Sequence, residues 1–582
     1  MPRSAWEVDL ASQIACQVVP DIPSFAVDDG FTYRVPDGTM VSVGSRVRIR
    51  VSGRRLRGFV TALVPVPDRR IIDLDGVVGD IPSFDEALLA TARWCAAHYI
   101  APLSTILGRT VPANVPRSDG AGPRTVTVAG PGFRSEFIQS SPPHARTIDA
   151  ILAEVPRAAL VVVPAVAEVD EIADDLRGRL GDRVVVAHSQ LSGREETDAW
   201  GAAATRGDAV VVGTREVALW PVRSLERIIV VEELRRVHKS PSTPTLDTAT
   251  VARQRAVDAA IPVAFVGPLP SVGTSVDVER VDRPPGRLWP IVEVVDRTED
   301  APTNAALVDR TRAAILGVAK TGGQVFVLTP RRGYAKATRC GRCGTLRRCP
   351  VCDAASSTGD ECDRCGTVLD PCAHCGARRW QALGAGTGRV IAELERSTDA
   401  VGPAGTGSLI EVGTERDLVG RKNMSLAVAV GVDGMAGAPN YRAQEAALFV
   451  LARLALTVKK GSGNRCLLQT SDPAQPVIEA LRSGSYERFI ESEIQKRRSL
   501  GFPPFGELIA MEIGASAEAP ELLDDALTGK ARILGPADMG DRQRWLIQAP
   551  DLSEARVALR GVVGRLRDAD VRVRVDADPI DL

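Results

Sequence analysis

The chain is poor in lysine and in aromatic residues. Only eight of its 582 residues are lysine, and the single Gly-Lys pair, Gly529-Lys530, is followed by alanine. A phosphate-binding P-loop needs Ser or Thr at that position, within the pattern Gly-x-x-x-x-Gly-Lys-Ser/Thr. No segment satisfies that pattern, and no Gly-x-Ser-x-Gly elbow or His-Glu-x-x-His helix is present either. The commonest nucleotidase, esterase and metalloprotease signatures are therefore excluded.

Long hydrophobic runs are also missing. The uncharged stretch 259–276 is interrupted by three prolines, so it cannot supply the ~20 apolar residues of a membrane helix. The first ten residues carry Arg3, Glu7 and Asp9, where a secretory signal would be apolar. We therefore expect an unexported, cytoplasmic protein with no membrane segment.

Neither sign of charge is in excess, because 72 basic residues face 73 acidic ones and the net charge is −1. This excludes a globally basic nucleic-acid binder and restricts any such role to local patches. Alternate residues of a strand share one face, so an arginine-rich strand pair can form a phosphate-binding stripe. A solvated edge strand is the competing interpretation. The residues concerned lie in a window without acids: Arg46, Arg48, Arg50, Arg54, Arg55 and Arg57.

The pattern of the chain indicates several domains. Short β-like runs separated by glycine turns fill the N-terminal part, and from about residue 133 apolar strands alternate with amphipathic helices, which is typical of a parallel sheet covered on both faces. This alternation resumes after residue 290. The prediction is a multidomain α/β protein. It comprises a small β-rich domain at 1–110, a linker at 111–132, tandem α/β lobes at 133–285 and 286–475, and a C-terminal α+β domain at 476–582.

Eight of the eleven cysteines form four Cys-x-x-Cys units between residues 340 and 375. Two residues between paired thiolates let both sulfurs reach one tetrahedral ion, and two pairs complete a Cys₄ site. Eight thiolates predict two structural Zn²⁺ ions in closed sites, in preference to redox dithiols, which need a thioredoxin-like context. The predicted ligands are Cys340, Cys343, Cys349, Cys352, Cys362, Cys365, Cys372 and Cys375.

Several motifs together resemble the PriA family of bacterial replication restart proteins over nearly the whole chain. They are Leu160-Val-Val-Val-Pro164, His188-Ser-Gln-Leu-Ser192, Gly213-Thr-Arg-Glu-Val-Ala-Leu219, Arg331-Arg-Gly-Tyr334 just before the cysteines, Tyr441-Arg-Ala-Gln-Glu445, Arg532-Ile-Leu-Gly-Pro536 and Val575-Asp-Ala-Asp-Pro-Ile580. The family comprises superfamily 2 DNA helicases that recognise stalled forks, bind single-stranded-DNA-binding protein and start reloading of the replicative helicase. The resemblance implies that the two lobes are RecA-like.

The chain departs from the family at its ATPase motifs. Gln139-Ser-Ser-Pro-Pro-His-Ala-Arg146 stands at the place of the P-loop, Val231-Glu232-Glu233-Leu234 at that of Asp-Glu-Glu-His, and Gly267-Pro-Leu-Pro270 at that of Ser-Ala-Thr-Pro. Two prolines without glycine cannot form a ring of N–H donors around phosphate. We expect a helicase scaffold without ATP hydrolysis, with no catalytic residue and no identified nucleotide-binding residue. Glu232 and Glu233 are interpreted as surface acids at a strand end. The linker is too short for the family's winged helix.

In the family, the N-terminal domain captures the 3′ end of the leading strand around a Phe-Asp-Tyr strand. The corresponding strand here, Phe31-Thr32-Tyr33, keeps both aromatic rings without the acid. Stacking of a base on a ring contributes ~1–3 kcal/mol and tolerates any sequence, which suits the capture of a DNA end by Phe31 and Tyr33. The alternative is that both rings point into a β core.

The resemblance also implies how the cysteines pair. Cys340, Cys343, Cys372 and Cys375 form an outer site, and the other four cysteines form a nested inner site. The expected function is binding of stalled or abandoned forks and promotion of primosome assembly, with a cytoplasmic, nucleoid-associated location. Expected partners are forked and single-stranded DNA, single-stranded-DNA-binding protein and the components that load the replicative helicase. The alternatives are an active ATP-dependent 3′–5′ helicase and a zinc-ribbon factor acting on RNA or transcription.

Overall fold

The computed structural model describes residues 14–112, 132–155, 157–282, 287–300, 305–330, 337–340, 342–343, 345, 347–351, 361–362, 367–369, 371–383, 386–438 and 440–580. The chain divides into two compact units. Unit 1 comprises Met1–Arg283 and Leu500–Pro579, and unit 2 comprises Pro284–Ser499 and Ile580–Leu582.

Unit 1 begins with an antiparallel sheet of five strands in the order β2-β1-β4-β3-β5. The β3–β4 turn is made by Ser52 and Gly53, both with positive φ, as a tight hairpin between two twisted strands requires. Asp85 caps the first helix by accepting a hydrogen bond from the Leu88 amide. The elements are β1 (Ile14–Pro20), β2 (Phe31–Arg34), β3 (Arg46–Val51), β4 (Arg54–Pro65), β5 (Gly76–Val78), α1 (Glu86–His98) and α2 (Leu103–Leu107).

The second sheet of unit 1 is parallel throughout, with seven strands in the order β12-β6-β11-β10-β7-β9-β8. Its central strands are buried on both faces because they are runs of Val, Ile and Ala. The elements are β6 (Arg134–Gln139), α3 (Ala145–Ala153), β7 (Ala158–Val162), α4 (Val166–Leu180), β8 (Val184–Ala187), α5 (Gly193–Thr205), β9 (Val210–Gly213), β10 (Leu225–Val231), α6 (Thr248–Asp258), β11 (Pro262–Gly267), α7 (Val272–Asp277) and β12 (Arg280–Asp282).

Unit 2 holds a parallel sheet of six strands in the order β13-β20-β19-β14-β18-β17 and a two-stranded antiparallel ribbon, β15-β16. The ribbon brings the first cysteine of the cluster, Cys340, opposite Trp380. The elements are β13 (Val292–Asp296), α8 (Asp309–Lys320), β14 (Val325–Leu328), β15 (Ala337–Cys340), β16 (Trp380–Leu383), α9 (Thr387–Glu395), β17 (Val401–Pro403), β18 (Ile410–Gly413), β19 (Leu426–Ala429), α10 (Val432–Ala436), α11 (Ala443–Leu456), β20 (Arg465–Thr470), α12 (Pro476–Ser483) and α13 (Glu487–Leu500).

The sequence placed residues from 476 onward in the C-terminal domain, but α12 and nearly all of α13 belong to unit 2. The indole N–H of Trp289 donates to the Leu481 carbonyl at 3.0 Å, and Arg497 of α13 contacts Glu445 of α11 at 3.1 Å. The sequence of a charged helix such as α13 does not indicate which unit it packs against. The predicted start of the C-terminal domain was therefore too early in the chain.

The C-terminal part of unit 1 is a four-stranded antiparallel sheet in the order β22-β23-β21-β24 with two helices. Alternate residues of β21 and β23, including Met511 and Trp545, face the same hydrophobic core as the helices. The elements are β21 (Glu507–Gly514), α14 (Ala519–Leu527), β22 (Arg532–Asp538), β23 (Arg542–Ala549), α15 (Ser553–Asp568) and β24 (Val573–Ala577).

The predicted multidomain α/β class with parallel sheets, an antiparallel N-terminal sheet and a cysteine cluster is confirmed. Most of the predicted linker, 113–131, lies outside the described residues. Within the described ranges, no helix combines the length and the apolar character needed to cross a bilayer.

Candidate functional site

The first candidate site is the carboxyl edge of the seven-stranded sheet, where the PriA family has its P-loop. β6 ends at Gln139, a short loop containing two prolines follows, and α3 begins at Ala145. The loop is tied together by side chains: the Ser140 and Thr147 hydroxyls are 2.9 Å apart, and the His144 Nδ1 atom is 3.1 Å from the Ser140 hydroxyl. Contacts among the protein's own side chains therefore hold this loop to the start of α3.

Glu232, at the end of β10, is the centre of a buried charge network. Its side chain is 1% exposed; its Oε1 atom is 3.3 Å from the His144 Nε2 atom, and its Oε2 atom is 2.8 Å from Arg235. Arg235 also contacts Glu168 at 3.1 Å. Burial alone would lower the pKa of Arg235, but the adjacent Glu232 and Glu168 raise it. The interpretation of Glu232 as a surface acid was wrong. Its carboxylate is buried against His144, which is 88 residues away in sequence, and Arg235, which is three residues away.

Glu233 has a different role, at the start of α7. One carboxylate oxygen accepts a hydrogen bond from the Ser271 amide at 2.9 Å, and the other accepts one from the Thr274 hydroxyl at 2.7 Å. Ser271 in turn caps α7 through the Thr274 amide. Glu233 is half-buried, and its two oxygens fix the turn between β11 and α7, where the family carries Ser-Ala-Thr-Pro.

His144 is in hydrogen-bond contact with Ser140 through Nδ1 and with Glu232 through Nε2. This order of hydroxyl, imidazole and carboxylate is that of a hydrolytic triad. All three side chains are buried, with Ser140 only 5% exposed, so this arrangement does not present its hydroxyl to a substrate in solvent as a hydrolytic site would. Sequence inspection had missed His144 and Arg235. The only signal for Arg235 is its spacing three residues after Glu232, and His144 carries none.

The second candidate site is the cysteine cluster. The structure brings together Cys340, Cys343, Cys372 and Cys375, whose sulfur atoms all lie within 4.8 Å of one another. Two of the pairs, Cys340–Cys375 and Cys343–Cys372, have their sulfur atoms 3.4 and 3.5 Å apart. A tetrahedral Zn²⁺ ion with bonds of ~2.3 Å separates its sulfur ligands by about 3.8 Å. These four residues therefore have the spacing of a metal site, and they are those that the resemblance assigns to the outer site.

Tight turns orient these sulfurs. The Arg342 amide donates to the Cys340 sulfur at 3.4 Å, and hydrogen bonding with Thr345 lowers the pKa of the Cys343 thiol to about 6, which favours the thiolate that binds metal. Of the predicted inner ligands, Cys349 and Cys362 are buried beside Leu369. Cys352 and Cys365 lie outside the described residues.

The third candidate site is the β3–β4 hairpin, where the arginines divide into three groups. Arg48 lies opposite Arg57, and Arg50 lies opposite Arg55, so these four exposed side chains share one face. Arg50 and Arg55 both approach Asp75, at 3.0 and 3.8 Å. Arg54, at the turn, points to the opposite face, because it precedes Arg55 in the strand.

Arg46 does not belong to the exposed stripe, contrary to the sequence prediction. Its side chain is buried, 3.6 Å from Asp21, with the guanidinium over the Phe59 ring. Burial lowers the pKa of Arg46. Arg46 lies on the same face as Arg48, but Asp21 and Phe59 cover it, and an alternating pattern cannot reveal such cover.

The two aromatic residues of β2 have different environments. Phe31 is 41% exposed, whereas Tyr33 is 2% exposed and its hydroxyl donates to the Arg50 carbonyl at 2.9 Å. For Tyr33 the core interpretation is therefore the right one, and its ring has no face open to a base. The DNA contact of Phe31 stays a prediction.

Comparison with known proteins finds a matching domain family for each of the two terminal parts of the chain. Residues 17–112 match the family model of the PriA 3′ DNA-binding domain, and residues 498–580 match that of the primosomal protein N C-terminal domain. The first match contains the sheet with the exposed arginines, and the second begins at the end of α13.

Two relatives extend the likeness. Replication restart protein PriA of Treponema pallidum is 25% identical over 97% of this chain and 99% of its own length. PriA of Synechocystis sp. is 26% identical over 73% of this chain but only 59% of its own length. Among solved structures, RecG bound to a three-way DNA junction is similar with a TM-score of 0.36 and 12% identity, covering 70% of this chain and 46% of RecG. The predicted resemblance is thus confirmed: the chain carries the two terminal domains of the PriA family and is similar to a PriA protein along nearly its whole length.

Proposed function

We propose that this chain binds stalled or abandoned replication forks and promotes assembly of the primosome, without ATP-driven strand separation. The domains at its two ends support the DNA-binding part of the proposal, since they match models of a 3′ DNA-binding domain and of a primosomal protein domain. The partners are forked and single-stranded DNA, single-stranded-DNA-binding protein and the factors that load the replicative helicase. The protein acts in the cytoplasm, at the nucleoid.

DNA binds to unit 1 through the exposed face of the β3–β4 hairpin. Arg48, Arg50, Arg55 and Arg57 contact backbone phosphates, which position the protein without reading sequence. Phe31, on the edge strand β2, offers an exposed ring on which the terminal base stacks. The register of the sheet places this ring on the face opposite to the four arginines, so the DNA strand passes around the sheet to reach it. Arg54 lies at the hairpin turn on the other face, so it contacts a phosphate only where the DNA strand passes around the end of the hairpin.

The observation that carries the loss of unwinding is the pairing of Glu232 with Arg235 and His144. A carboxylate that positions Mg²⁺ must offer its oxygens to the ion, whereas those of Glu232 already lie 2.8 Å from a guanidinium and 3.3 Å from an imidazole. The loop at 140–144, with its two prolines, replaces the amide cradle that positions phosphates in P-loop enzymes. The lobes then act as a frame that carries the DNA-binding and zinc modules.

Two structural Zn²⁺ ions complete the protein, one held by Cys340, Cys343, Cys372 and Cys375 and one by Cys349, Cys352, Cys362 and Cys365. Four thiolates fill each coordination shell, so neither ion retains an open position for water. The zinc module therefore supplies a rigid surface and takes no part in hydrolysis.

The test combines three measurements on metal-replete protein. Binding is measured by fluorescence anisotropy with a fork whose 3′ end lies at the junction, the same fork with that end blocked by a 3′-phosphate, and blunt duplex. ATP turnover and strand separation are measured with the same fork. We expect preference for the open 3′ end, no DNA-stimulated turnover and no separated strands.

Glu232→Ala and Asp208→Ala provide the decisive comparison for turnover. DNA-stimulated ATP hydrolysis that disappears in Glu232→Ala but persists in Asp208→Ala would restore the alternative of an active 3′–5′ helicase. Asp208 is a half-exposed acid just before the amino end of β9. Equal affinity for the fork and for blunt duplex would contradict the fork-binding proposal.

A further inference from the structure

Unit 1 contains a cavity that the proposed function does not use. Its volume is about 260 Å³, and it is lined by the segment Arg215–Trp220 after β9, the first turn of α5 after β8, the start of α6 and the chain around Arg109. In parallel α/β sheets, ligands bind beyond the carboxyl ends of the strands. The segment at 215–220 follows the carboxyl end of β9, and α5 follows that of β8 after a loop of five residues, so the cavity lies where this architecture places small ligands.

The walls of the cavity are mainly apolar. They include Val111, Leu219, Trp220, Leu246 and Val251, of which all but Val111 are buried. Pockets for drug-sized molecules span roughly 300–1,000 Å³, so this cavity suits a smaller ligand, about the size of one heterocyclic base. Apolar walls of this kind fit the faces of a planar ring.

Two of the four charged residues that line the cavity are already satisfied by the protein. The Arg215 Nε atom lies 3.1 Å from the Glu216 carboxylate, and a second nitrogen of Arg215 donates to the Val237 carbonyl at 3.0 Å. Glu216 also accepts a hydrogen bond from the Thr214 hydroxyl at 2.7 Å. This pair forms part of the wall and needs no ligand.

The other two charged residues, Arg109 and Glu196, are not satisfied in this way. Arg109 makes one long hydrogen bond, to the Pro244 carbonyl at 3.5 Å, although a guanidinium has five N–H donors. Burial lowers the pKa of Arg109. Glu196 is half-buried; its backbone N–H donates to the Ser192 carbonyl, but its carboxylate has neither a hydrogen bond nor an ion pair to any residue that the structure describes. The cavity therefore offers donors from one residue and acceptors from another.

We propose that this cavity binds a guanine base. Guanine presents O6 and N7 as acceptors, which arginine recognises with paired N–H donors, while its N1–H and 2-amino groups donate to a carboxylate. Arg109 and Glu196 supply these two partners, and the rings lie against Trp220 and the aliphatic walls. Adenine carries an amino donor in place of O6 and an acceptor at N1, so it would leave both charged residues mispaired. A free guanine nucleotide and a guanine unstacked from bound DNA present the same edges.

The test is isothermal titration of the full chain with GMP and with AMP, followed by two single-stranded oligonucleotides that differ only in one G or A. The variants are Arg109→Gln and Glu196→Gln. Their matched controls are Arg194→Gln and Asp198→Asn, two exposed residues of α5 that pair with each other and do not line the cavity. Glu196→Gln preserves size, so folding should be unaffected, which the melting temperature verifies.

We expect GMP to bind roughly tenfold or more tightly than AMP, and both cavity variants to abolish the preference while the controls keep it. A G-dependent gain in oligonucleotide binding that Glu196→Gln removes identifies DNA as the source of the base; preference with GMP alone identifies a free nucleotide. Equal affinities for GMP and AMP together with equal affinities for the two oligonucleotides would overturn the proposal. So would a preference that survives in both cavity variants.

Discussion

Neutralising opposite arginines of the β3–β4 hairpin should reduce the salt dependence of DNA binding by an amount that the structure sets. Arg48 and Arg57 face each other, and neither has an acidic partner within the described ranges. Arg50 and Arg55 also face each other but share Asp75, so this second pair adds about one net positive charge rather than two. The two pairs are otherwise matched, since both are exposed and lie on the same face.

Each phosphate contact contributes about 0.9 to the slope of log affinity against log salt concentration. Arg48→Gln with Arg57→Gln should therefore lower the slope by about 1.8, so that the affinity lost between 50 and 200 mM salt shrinks by about 12-fold. Arg50→Gln with Arg55→Gln should lower the slope by about 0.9, which corresponds to about 3.5-fold over the same interval.

The assay is fluorescence anisotropy of a labelled fork with an open 3′ end, titrated at five or more salt concentrations. Arg177→Gln with Arg194→Gln is the control for net charge, because both residues are exposed and lie on helices of the seven-stranded sheet. The reasoning fails if the control changes the slope as much as Arg48→Gln with Arg57→Gln does. Equal effects of the two hairpin pairs would refute the assigned role of Asp75.

Metal analysis by inductively coupled plasma mass spectrometry should find about two zinc ions per chain, and Cys340→Ser should remove one of them, because a Cys₄ site with three sulfurs binds poorly. Glu232→Ala should lower the free energy of unfolding of unit 1 by about 3–5 kcal/mol, since it leaves Arg235 buried with part of its charge uncompensated; the shift of the melting temperature measures this. Burial alone would raise the pKa of Asp578, but the His98 ring 2.6 Å away lowers it, so this carboxylate stabilises unit 1 above its unfolded pKa of about 3.9 and ceases to do so as the pH falls through its folded pKa. Asp578→Asn should accordingly flatten the decline of melting temperature below pH 4.

Each of these outcomes has a matched control. His374→Ala should retain both zinc ions, since four sulfurs already surround the outer site; loss of an ion would mean that the histidine is a ligand. Asp175→Ala, at an exposed acid of α4, should lower the free energy of unfolding far less than Glu232→Ala does, and an equal loss would contradict the importance of the network around Glu232. Asp68→Asn, at an exposed acid of unit 1, should leave the decline of melting temperature at low pH unchanged, so a similar flattening in that variant would show that Asp578 has no special part.

Much of the fold could be predicted from periodicity. Most strands of the two parallel sheets coincide with apolar runs of the sequence, whereas β6, β12 and β17, which are short or rich in polar residues, carry no such pattern. The boundary between units was misplaced at residue 476, since α12 packs on α11 and β13 of unit 2 and α13 is joined to α11 by the Arg497–Glu445 ion pair. Such contacts connect residues far apart in sequence and leave no local pattern.

The candidate sites, too, were predictable where a local sequence pattern marks them and unpredictable where contacts distant in sequence decide. Cysteine spacing was enough to identify the cluster at 340–375, because metal ligation constrains neighbours in sequence. Alternation also grouped Phe31 with Tyr33 and Arg46 with Arg48, but in each pair one residue is buried and the other exposed. Strand period fixes which face a side chain occupies; how far other elements cover that face depends on tertiary packing.

The two acids at the end of β10 show why packing bears on function. Glu233 is held by the turn into α7, and Glu232 by Arg235 and His144. To bind Mg²⁺, Glu232 would have to release Arg235 and leave that guanidinium buried with one acidic partner, at a cost of about 3–5 kcal/mol. Such a cost lowers metal affinity by about two to three and a half orders of magnitude. An ATP-driven motor would pay this penalty in every cycle, whereas a rigid scaffold gains stability from the same contacts.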